Sequence, residues 1–327
     1  MDKVKGILAG AGYIASEHMK WYSMDPRVEI SGIVDSNEEK GHFLAEKYSA
    51  EYFTSLSDAA LKLSPDFCDV CLPSSLHASA SKSAMQLGMD VICEKPMALT
   101  LSDIDAMTET EKLTGHRMMV AHVCRFMPQY YELKRIVDSL IIGRPISLTI
   151  SRESETPSWS VNGWLWNRSM SGGTVMDLSI HDIDLSNWFF GTPDRYLCSV
   201  IGNPDVPGPS CVTSVMHYGC GVQSTVIANH LLPKGHPFST SYRLTCTDGI
   251  AEFSSESDPS RIRLYTSGKT SDIDLTGMPG YDSGYRNELD QFISCLIDKK
   301  DFPVSNADAR LAVASVLALS RSAESGS

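Results

Sequence analysis

Gly10-Ala11-Gly12-Tyr13-Ile14-Ala15 stands between an apolar strand and a helical stretch, and residue types in that order can cradle a pyrophosphate. Gly10 permits the tight turn, Gly12 lets the backbone approach phosphate, and Ala15 replaces a third glycine where helix and strand pack. The helix start at Tyr13 and Ile14 adds free N–H donors and a partial positive charge. Asp35 follows Ala15 by 20 positions, at the end of a second strand. A carboxylate there accepts the ribose hydroxyl protons of an adenosine and repels a 2′-phosphate. The dinucleotide implied is NAD; Ser36 and Asn37 bring no cation for a 2′-phosphate, which places NADP second.

Two further places carry proton-moving groups. Asp177 and His181 are four apart in a helical stretch and share a face with Asp184, beside the apolar stripe of Met176, Ile180, Ile183 and Trp188. A carboxylate beside an imidazole fixes its tautomer and raises its basicity, as suits a group that takes a proton from an alcohol while hydride leaves the carbon. Lys95 follows the apolar run Val91–Cys93, and Pro96 restricts its backbone, which holds the ammonium at the carboxyl edge of a sheet. The bland alternatives are a satisfied helix histidine and a surface lysine paired with Glu94.

The positioning elements follow from periodicity. Strands are predicted at Val4–Ala9, Glu29–Val34, Phe67–Leu72, Asp90–Cys93 and Met118–His122, alternating with helices at Ile14–Tyr22, Glu38–Lys47, Ser79–Leu87 and Leu101–Thr114. Such alternation implies crossover units and a doubly wound parallel sheet, an α/β Rossmann domain over 1–122. After a helix from Pro128 to Ser139 the texture changes. Ile146–Ser151, Tyr196–Ile201, Cys211–Tyr218, Val222–Leu231, Ser241–Thr247, Ile250–Phe253 and Arg261–Thr266 read as strands of a large, mostly antiparallel open sheet. Helices at Gly173–Phe190, Tyr285–Asp298 and Ala307–Ala323 are expected to cover one of its faces, giving an α+β substrate-binding and oligomerisation domain over 123–327.

Leu72-Pro73-Ser74-Ser75-Leu76-His77 after one strand, Glu94-Lys95-Pro96 after the next, Arg125-Phe126 with Pro128 and Tyr130, and the run Gly172 to Asp182 occur in an order and spacing that resemble the glucose–fructose oxidoreductase / inositol dehydrogenase (Gfo/Idh/MocA) family. The resemblance covers nearly the whole chain. It implies an enzyme, an NAD(P)-dependent dehydrogenase acting on CH–OH groups of a sugar, inositol or related polyol. It makes Lys95, Asp177 and His181 the catalytic residues, with Lys95 on the reacting oxygen, and does not decide whether His181 or Lys95 is the base. Glu94 is placed near the nicotinamide ribose, Leu72, Pro73, Ser74 and His77 beside the cofactor, and Arg125 on substrate hydroxyls. Ser74 departs from the family's usual Asn, and a hydroxyl does not reproduce both functions of an amide. Two other readings share the fold: a sugar-sensing regulator without net chemistry, and an NAD-retaining enzyme that uses transient oxidation for elimination or hydrolysis.

Trp159, Trp164 and Trp166 cluster with Asn162, Asn167 and Arg168 ahead of the Asp177 stretch. Aromatic faces beside amide and guanidinium donors suit a polyol, so Asn162 and Trp164 join the substrate residues, as does Tyr285. The 28 Lys and Arg against 40 Asp and Glu leave a net charge of −12, which repels nucleic acid. No apolar run approaches the roughly 18 residues that span a bilayer, and the first ten residues lack a signal peptide's apolar region, so the expected compartment is the cytoplasm. Nine scattered cysteines read as reduced core residues; Cys68 and Cys71 have CxxC spacing but fall on opposite faces of a strand. No His/Asp/Glu set has metal spacing, and no metal is expected. The open sheet face is expected to be buried in a homodimer or homotetramer.

Overall fold

A computed structural model of the protein describes residues 3–157, 161–203 and 208–325. The chain divides into two compact units, Met1–Val123 with Asp282–Arg310, and Cys124–Tyr281 with Leu311–Ser327.

In the first unit β1 (Val4–Ala9), β2 (Val28–Val34), β3 (Glu51–Phe53), β4 (Phe67–Val70), β5 (Asp90–Glu94) and β6 (Met118–Ala121) form a parallel sheet in the order β3-β2-β1-β4-β5-β6. This is the strand order of a Rossmann domain, and the reversal between β1 and β4 is its topological switch point, where ligands of such sheets bind. The central strands are apolar without alternation because helices cover both faces: Ile7, Leu8, Phe67, Cys68, Val70, Val91, Ile92 and Cys93 are all 0% exposed. The crossovers are α1 (Tyr13–Tyr22), α2 (Glu38–Tyr48), α3 (Leu56–Leu63), α4 (His77–Gln86) and α5 (Leu101–Thr114). Asn37, Ser55 and Thr100 cap α2, α3 and α5 by accepting from Lys40, Asp58 and Asp103 N–H, whereas α1 has no side-chain cap. β3 and α3 have no counterpart in the sequence reading; the strand has only three residues, too few to show a period.

The helix expected over the second sheet at Tyr285–Asp298 instead belongs to the first unit, as α10 (Gly284–Asp298). Phe292 packs edge-on against Phe67, with ring centroids 5.5 Å apart, and Arg27 reaches Ser294 and Asp290 at 2.9 and 2.6 Å. Its apolar stripe was legible; which sheet the stripe faces is a long-range fact that periodicity does not encode.

Between α1, α10 and the ends of β4 and β5 the first unit buries an unusual polar group. His18 Nδ1 lies 2.8 Å from Asp69 Oδ2, Tyr22 Oη donates to the same oxygen at 3.0 Å, and the Cys71 thiol donates to Asp69 Oδ1 at 3.2 Å. Burial works against the His18 imidazolium, but Asp69 and Cys71 outweigh it and hold its pKa well above the usual value. Glu288, on α10, is 0% exposed, and neither of its carboxyl oxygens has a hydrogen-bond partner. Burial first, and the negative charge of Glu94 second, push its pKa well above the carboxylate range.

In the second unit β7 (Pro145–Glu155), β8 (Pro193–Gly202), β9 (Ser210–Tyr218), β10 (Gln223–Leu232), β11 (Ser239–Cys246), β12 (Gly249–Ser254), β13 (Asp258–Thr266) and β14 (Lys269–Asp274) pair in the order β14-β13-β12-β11-β7-β10-β9-β8. The β7–β10 pair is parallel and the others are antiparallel. One face, carrying Leu148, Ile150, Met216, Val226, Tyr242 and Leu244, is buried. α6 (Pro128–Ser139), α7 (Arg168–Ser171), α8 (Gly173–Asp177), α9 (Ile180–Phe190) and most of α11 (Asn306–Ser325) belong to this unit. The helix expected to run unbroken from Gly173 to Phe190 is two helices. Leu178 and Ser179 both donate to Thr174 O, at 3.0 and 3.1 Å, so the ladder slips by one residue before α9 begins.

Cysteines are less uniformly buried than the sequence reading had them. All nine are free; Cys68, Cys93, Cys124 and Cys246 are buried, while Cys220 is exposed.

Glu288 gives a test of this packing. Its folded-state pKa is raised, so the unfolded chain ionises first and stability is lost as pH rises above about 4.5, by at most about 1.4 kcal/mol per pH unit. Urea midpoints measured from pH 5 to 8 should fall more steeply for the wild type than for Glu288→Gln, which should be the more stable protein at pH 8. Parallel curves would show that Glu288 ionises as readily folded as unfolded.

Candidate active site

The first group of candidate residues lies at the carboxyl ends of β1, β2, β4 and β5. Gly10 turns with φ +107°, and a Cβ built on it would stand 2.3 Å from the Cys71 carbonyl oxygen. At Gly12, by contrast, an added Cβ would meet nothing within 4 Å. Backbone thus borders open space at the uncapped start of α1, where Tyr13 is exposed and Ile14 half-buried. Asp35 Oδ2 accepts Ala11 N–H at 2.6 Å and Oδ1 accepts Asn37 N–H at 2.7 Å, which fixes the carboxylate against the glycine turn. Ser36 is exposed beside it. A glycine turn with open approach at Gly12, a helix start without a side-chain cap and an oriented acid at the end of β2 fit a dinucleotide with an unsubstituted adenosine ribose.

Past β4, Leu72 and Pro73 lead into a one-turn helix, Ser74–Leu76, in which Ser74 is buried. His77 is 1% exposed, with Nδ1 2.7 Å from Pro96 O and Nε2 2.8 Å from Leu72 O. Burial lowers its pKa, and the two carbonyls partly oppose that. The ring ties the segment after β4 to the segment after β5, so its contacts are structural ones. Glu94 ends β5; its Oε2 accepts the Lys95 N–H at 3.1 Å and its Oε1 lies 3.4 Å from His18 Nε2. Lys95 is half-buried, and its peptide bond to Pro96 is cis. Tyr285, at the start of α10, has its ring 5.7 Å from that of His18.

The second group lies in the second unit, where Asp177 ends α8 and His181 lies in the first turn of α9, on either side of the slipped ladder. Both are half-buried. The following residues tie α9 down. Asp182 accepts from Arg152 Nε at 3.1 Å and Nη2 at 2.9 Å, and Asp184 accepts from Arg125 Nε and Nη2 at 2.8 and 2.7 Å. All four side chains are buried. Burial raises the Asp182 pKa, and Arg152 opposes it. Arg152 Nη2 also reaches Cys124 Sγ and Tyr130 Oη, both at 3.2 Å, and Cys124 Sγ lies 3.7 Å from His181 Nδ1. Arg125, expected on substrate hydroxyls, is therefore engaged in a bidentate pair, with Trp188 5.3 Å from its guanidinium carbon. Trp164 is half-buried in the turn Val161–Trp166; Trp159 and the side chain of Asn162 lie outside the described residues.

Sequence reasoning did not single out His18, Asp69, Glu288, Arg152 or Asp182, and it noted Cys71 as half of a CxxC pair but read it as a strand residue, whereas β4 ends at Val70. A signal existed for some of them: Asp69 sits in the middle of an apolar strand, and Arg152 on the buried face of another, where a charge persists only with a partner.

Residues 4–122 match the model of the oxidoreductase family with an NAD-binding Rossmann fold, and residues 130–252 match the GFO/IDH/MocA C-terminal domain. The chain is 31% identical over 191 residues to the uncharacterized oxidoreductase YrbE of Bacillus subtilis, covering 58% of this chain and 54% of that one. It is 29% identical over 231 residues to the D-apiose dehydrogenase of Paraburkholderia graminis, covering 69% and 60%. The matches thus span little more than half the length of these curated relatives. Among solved structures, an oxidoreductase from Agrobacterium radiobacter in complex with NAD+, L-tartaric acid and magnesium superposes with a TM-score of 0.88 at 21% identity, covering 99% of this chain and 97% of that one. Strand order, glycine turn and both family matches agree: the chain belongs to the GFO/IDH/MocA oxidoreductase family, with an NAD-binding Rossmann domain.

Proposed function

We propose that the protein is an NAD-dependent dehydrogenase, with NADP the second choice, that moves hydride between nicotinamide and a secondary alcohol of a sugar, inositol or related polyol. The observation that carries this reading is that a glycine turn with its ribose-facing acid occurs in one chain with Lys95, Asp177 and His181. Relatives named for D-apiose, D-glucoside and scyllo-inositol oxidation support the substrate class.

When bound, NAD supplies the hydride acceptor. Gly10, Gly12 and the start of α1 hold the phosphates, and Asp35 takes the ribose hydroxyls. Leu72, Pro73, Ser74 and Glu94 line the cofactor's path, and His77 sets the segments that carry them. Lys95 donates to the reacting oxygen and steadies its developing negative charge. The hydroxyl proton goes to His181, with Asp177 holding its tautomer, or to Lys95 itself. Trp164, Asn162 and Tyr285 are assigned to the substrate's faces and hydroxyls, and Arg125 acts on the substrate side by fixing α9 through Asp184.

One relative is named a 2,7-anhydro-N-acetylneuraminate hydratase, which supports a second reading, transient oxidation without net NADH release. The stoichiometry of NADH to product separates the two. A polyol and keto-sugar panel, silent in both directions with either cofactor, would favour a sugar sensor.

On its outer face the second sheet carries Leu197, Ile201, Val215 and Ile227, with Leu197 49% and Ile201 66% exposed. This supports burial against another copy of the chain, as a homodimer or homotetramer. The free cysteines support a reducing compartment, the cytoplasm. No described helix is long and apolar enough to cross a membrane.

Lys95→Ala and His181→Ala should each lower turnover by about 10²–10⁴ while NAD affinity stays within a few-fold; intact turnover with lost NAD binding would sink the assignment. Gly12→Ala should keep the melting temperature and weaken NAD by about tenfold or more, whereas Gly10→Ala should lower the melting temperature by displacing the Cys71 carbonyl. Light scattering should give a mass of two or four chains, and a clean monomer would overturn the oligomer.

A further inference from the structure

The buried group behind Glu94 has the composition of a metal site. His18 Nδ1, an Asp69 carboxylate oxygen and Cys71 Sγ lie within 4.8 Å of one another. Nδ1 is 2.8 Å from Asp69 Oδ2 and 3.5 Å from Sγ, and Sγ is 3.2 Å from Asp69 Oδ1. Donors bound to one zinc ion at about 2.0–2.3 Å in a tetrahedron stand roughly 3.3–3.7 Å from each other. The 2.8 and 3.2 Å contacts use different Asp69 oxygens, so one of these oxygens would serve as the ligand, and His18 Nδ1 and Asp69 would have to part by about half an ångström to reach that spacing. Their spacing in sequence hides them, because one ligand comes from α1 and two from the end of β4, 51 and 53 residues later.

A second observation points the same way. His18 Nε2, Glu94 Oε1 and both oxygens of Glu288 are buried atoms without a hydrogen-bond partner, although Nε2 and Oε1 are only 3.4 Å apart. A histidine that gives one ring nitrogen to a metal typically donates the other N–H to a carboxylate. Here Nδ1 faces Asp69 and Cys71 while Nε2 faces Glu94, the arrangement of that pairing. The imidazole, thiolate and carboxylate set suits a zinc-class ion, not magnesium or calcium, which take oxygen ligands.

We propose that His18, Asp69 and Cys71 bind one divalent zinc-class ion in the first unit, with the fourth position left to a small ligand such as water. On binding, the Cys71 S–H bond and the His18 Nδ1–H bond break, both protons leave to solvent, and S–metal and N–metal bonds form together with a bond from an Asp69 carboxylate oxygen, freed from the hydrogen bonds of those two protons. The ring N–H stays on Nε2, opposite Glu94, and the ion's two charges replace those of the two protons. No electron is transferred. None of its three ligands is among the groups assigned to hydride transfer, although Glu94, assigned to the cofactor's path, faces His18 Nε2, and the test does not depend on turnover.

Tag-free full-length protein, stripped with a chelator and titrated with Co2+, should take up one equivalent and show a thiolate-to-cobalt charge-transfer band in the near ultraviolet. Zn2+ should bleach that band and raise the melting temperature. Cys71→Ser, checked for folding by circular dichroism, should lose the band and weaken Zn2+ by about 100-fold or more, while Cys220→Ser should leave both unchanged. A wild-type protein that shows no band under excess Co2+ overturns the proposal whatever the variants do, and so does a band that survives in folded Cys71→Ser.

Discussion

The first unit is organised around one close approach, the Gly10 backbone against the Cys71 carbonyl oxygen, where an added Cβ would have only 2.3 Å. Only glycine fits, both for space and for φ +107°. Because β1 and β4 can then run side by side to their ends, the glycine turn leaves the sheet at the reversal of strand order. Asp35 adds the third side of this arrangement by accepting the Ala11 N–H, so the acid at the end of β2 cannot drift from the turn it serves. Leu72, immediately past Cys71, is pinned through its carbonyl by His77, which also holds Pro96 beyond β5. Four strand ends are thereby registered to one another by backbone contacts and two side chains, before any ligand contributes.

Positioning in the second unit uses a different device. His181 sits on a helix whose ladder slips just before it, which leaves the start of that helix weakly held by its own backbone. Two buried Arg–Asp pairs compensate, Arg152–Asp182 from the sheet and Arg125–Asp184 from the turn ahead of α6. Such pairs give little net stability, since desolvation offsets most of the attraction, but their bidentate geometry admits one orientation. The neighbours of His181 are thus fixed in direction rather than strengthened, which would suit the proton-transfer role proposed for it.

The sequence reading identified the parallel and antiparallel sheets, because burial on both faces and burial on one leave different periodicities. It identified the glycine turn and Asp35 because their spacing is local. It did not find that Tyr285–Asp298 returns to the first unit, since an apolar stripe on a helix does not name its partner. Arg125 shows the same limit: its type and place were read, but Asp184, which takes both its forked donors, is 59 residues away. Asp177 and His181 were correctly placed in helix, but the i,i+4 face was drawn on an unbroken ladder, and a shared carbonyl at Thr174 is invisible in residue types.

The acidic balance of the chain makes its choice of phosphate holder meaningful. A protein with a net charge of −12 has no general attraction for an anion, so capture must be local. α1 has no side-chain cap and no acid in its first turn, whereas α2, α3 and α5 have both. The three capped helices satisfy their own N-terminal donors and place negative charge there, as isolated helices prefer. α1 forgoes both, at the one helix start that follows the glycine turn. α4 likewise has no side-chain cap and no acid in its first turn, so the missing residues alone do not mark the place; at α1 they coincide with the glycine turn and the open approach at Gly12, and that combination suits an anionic group.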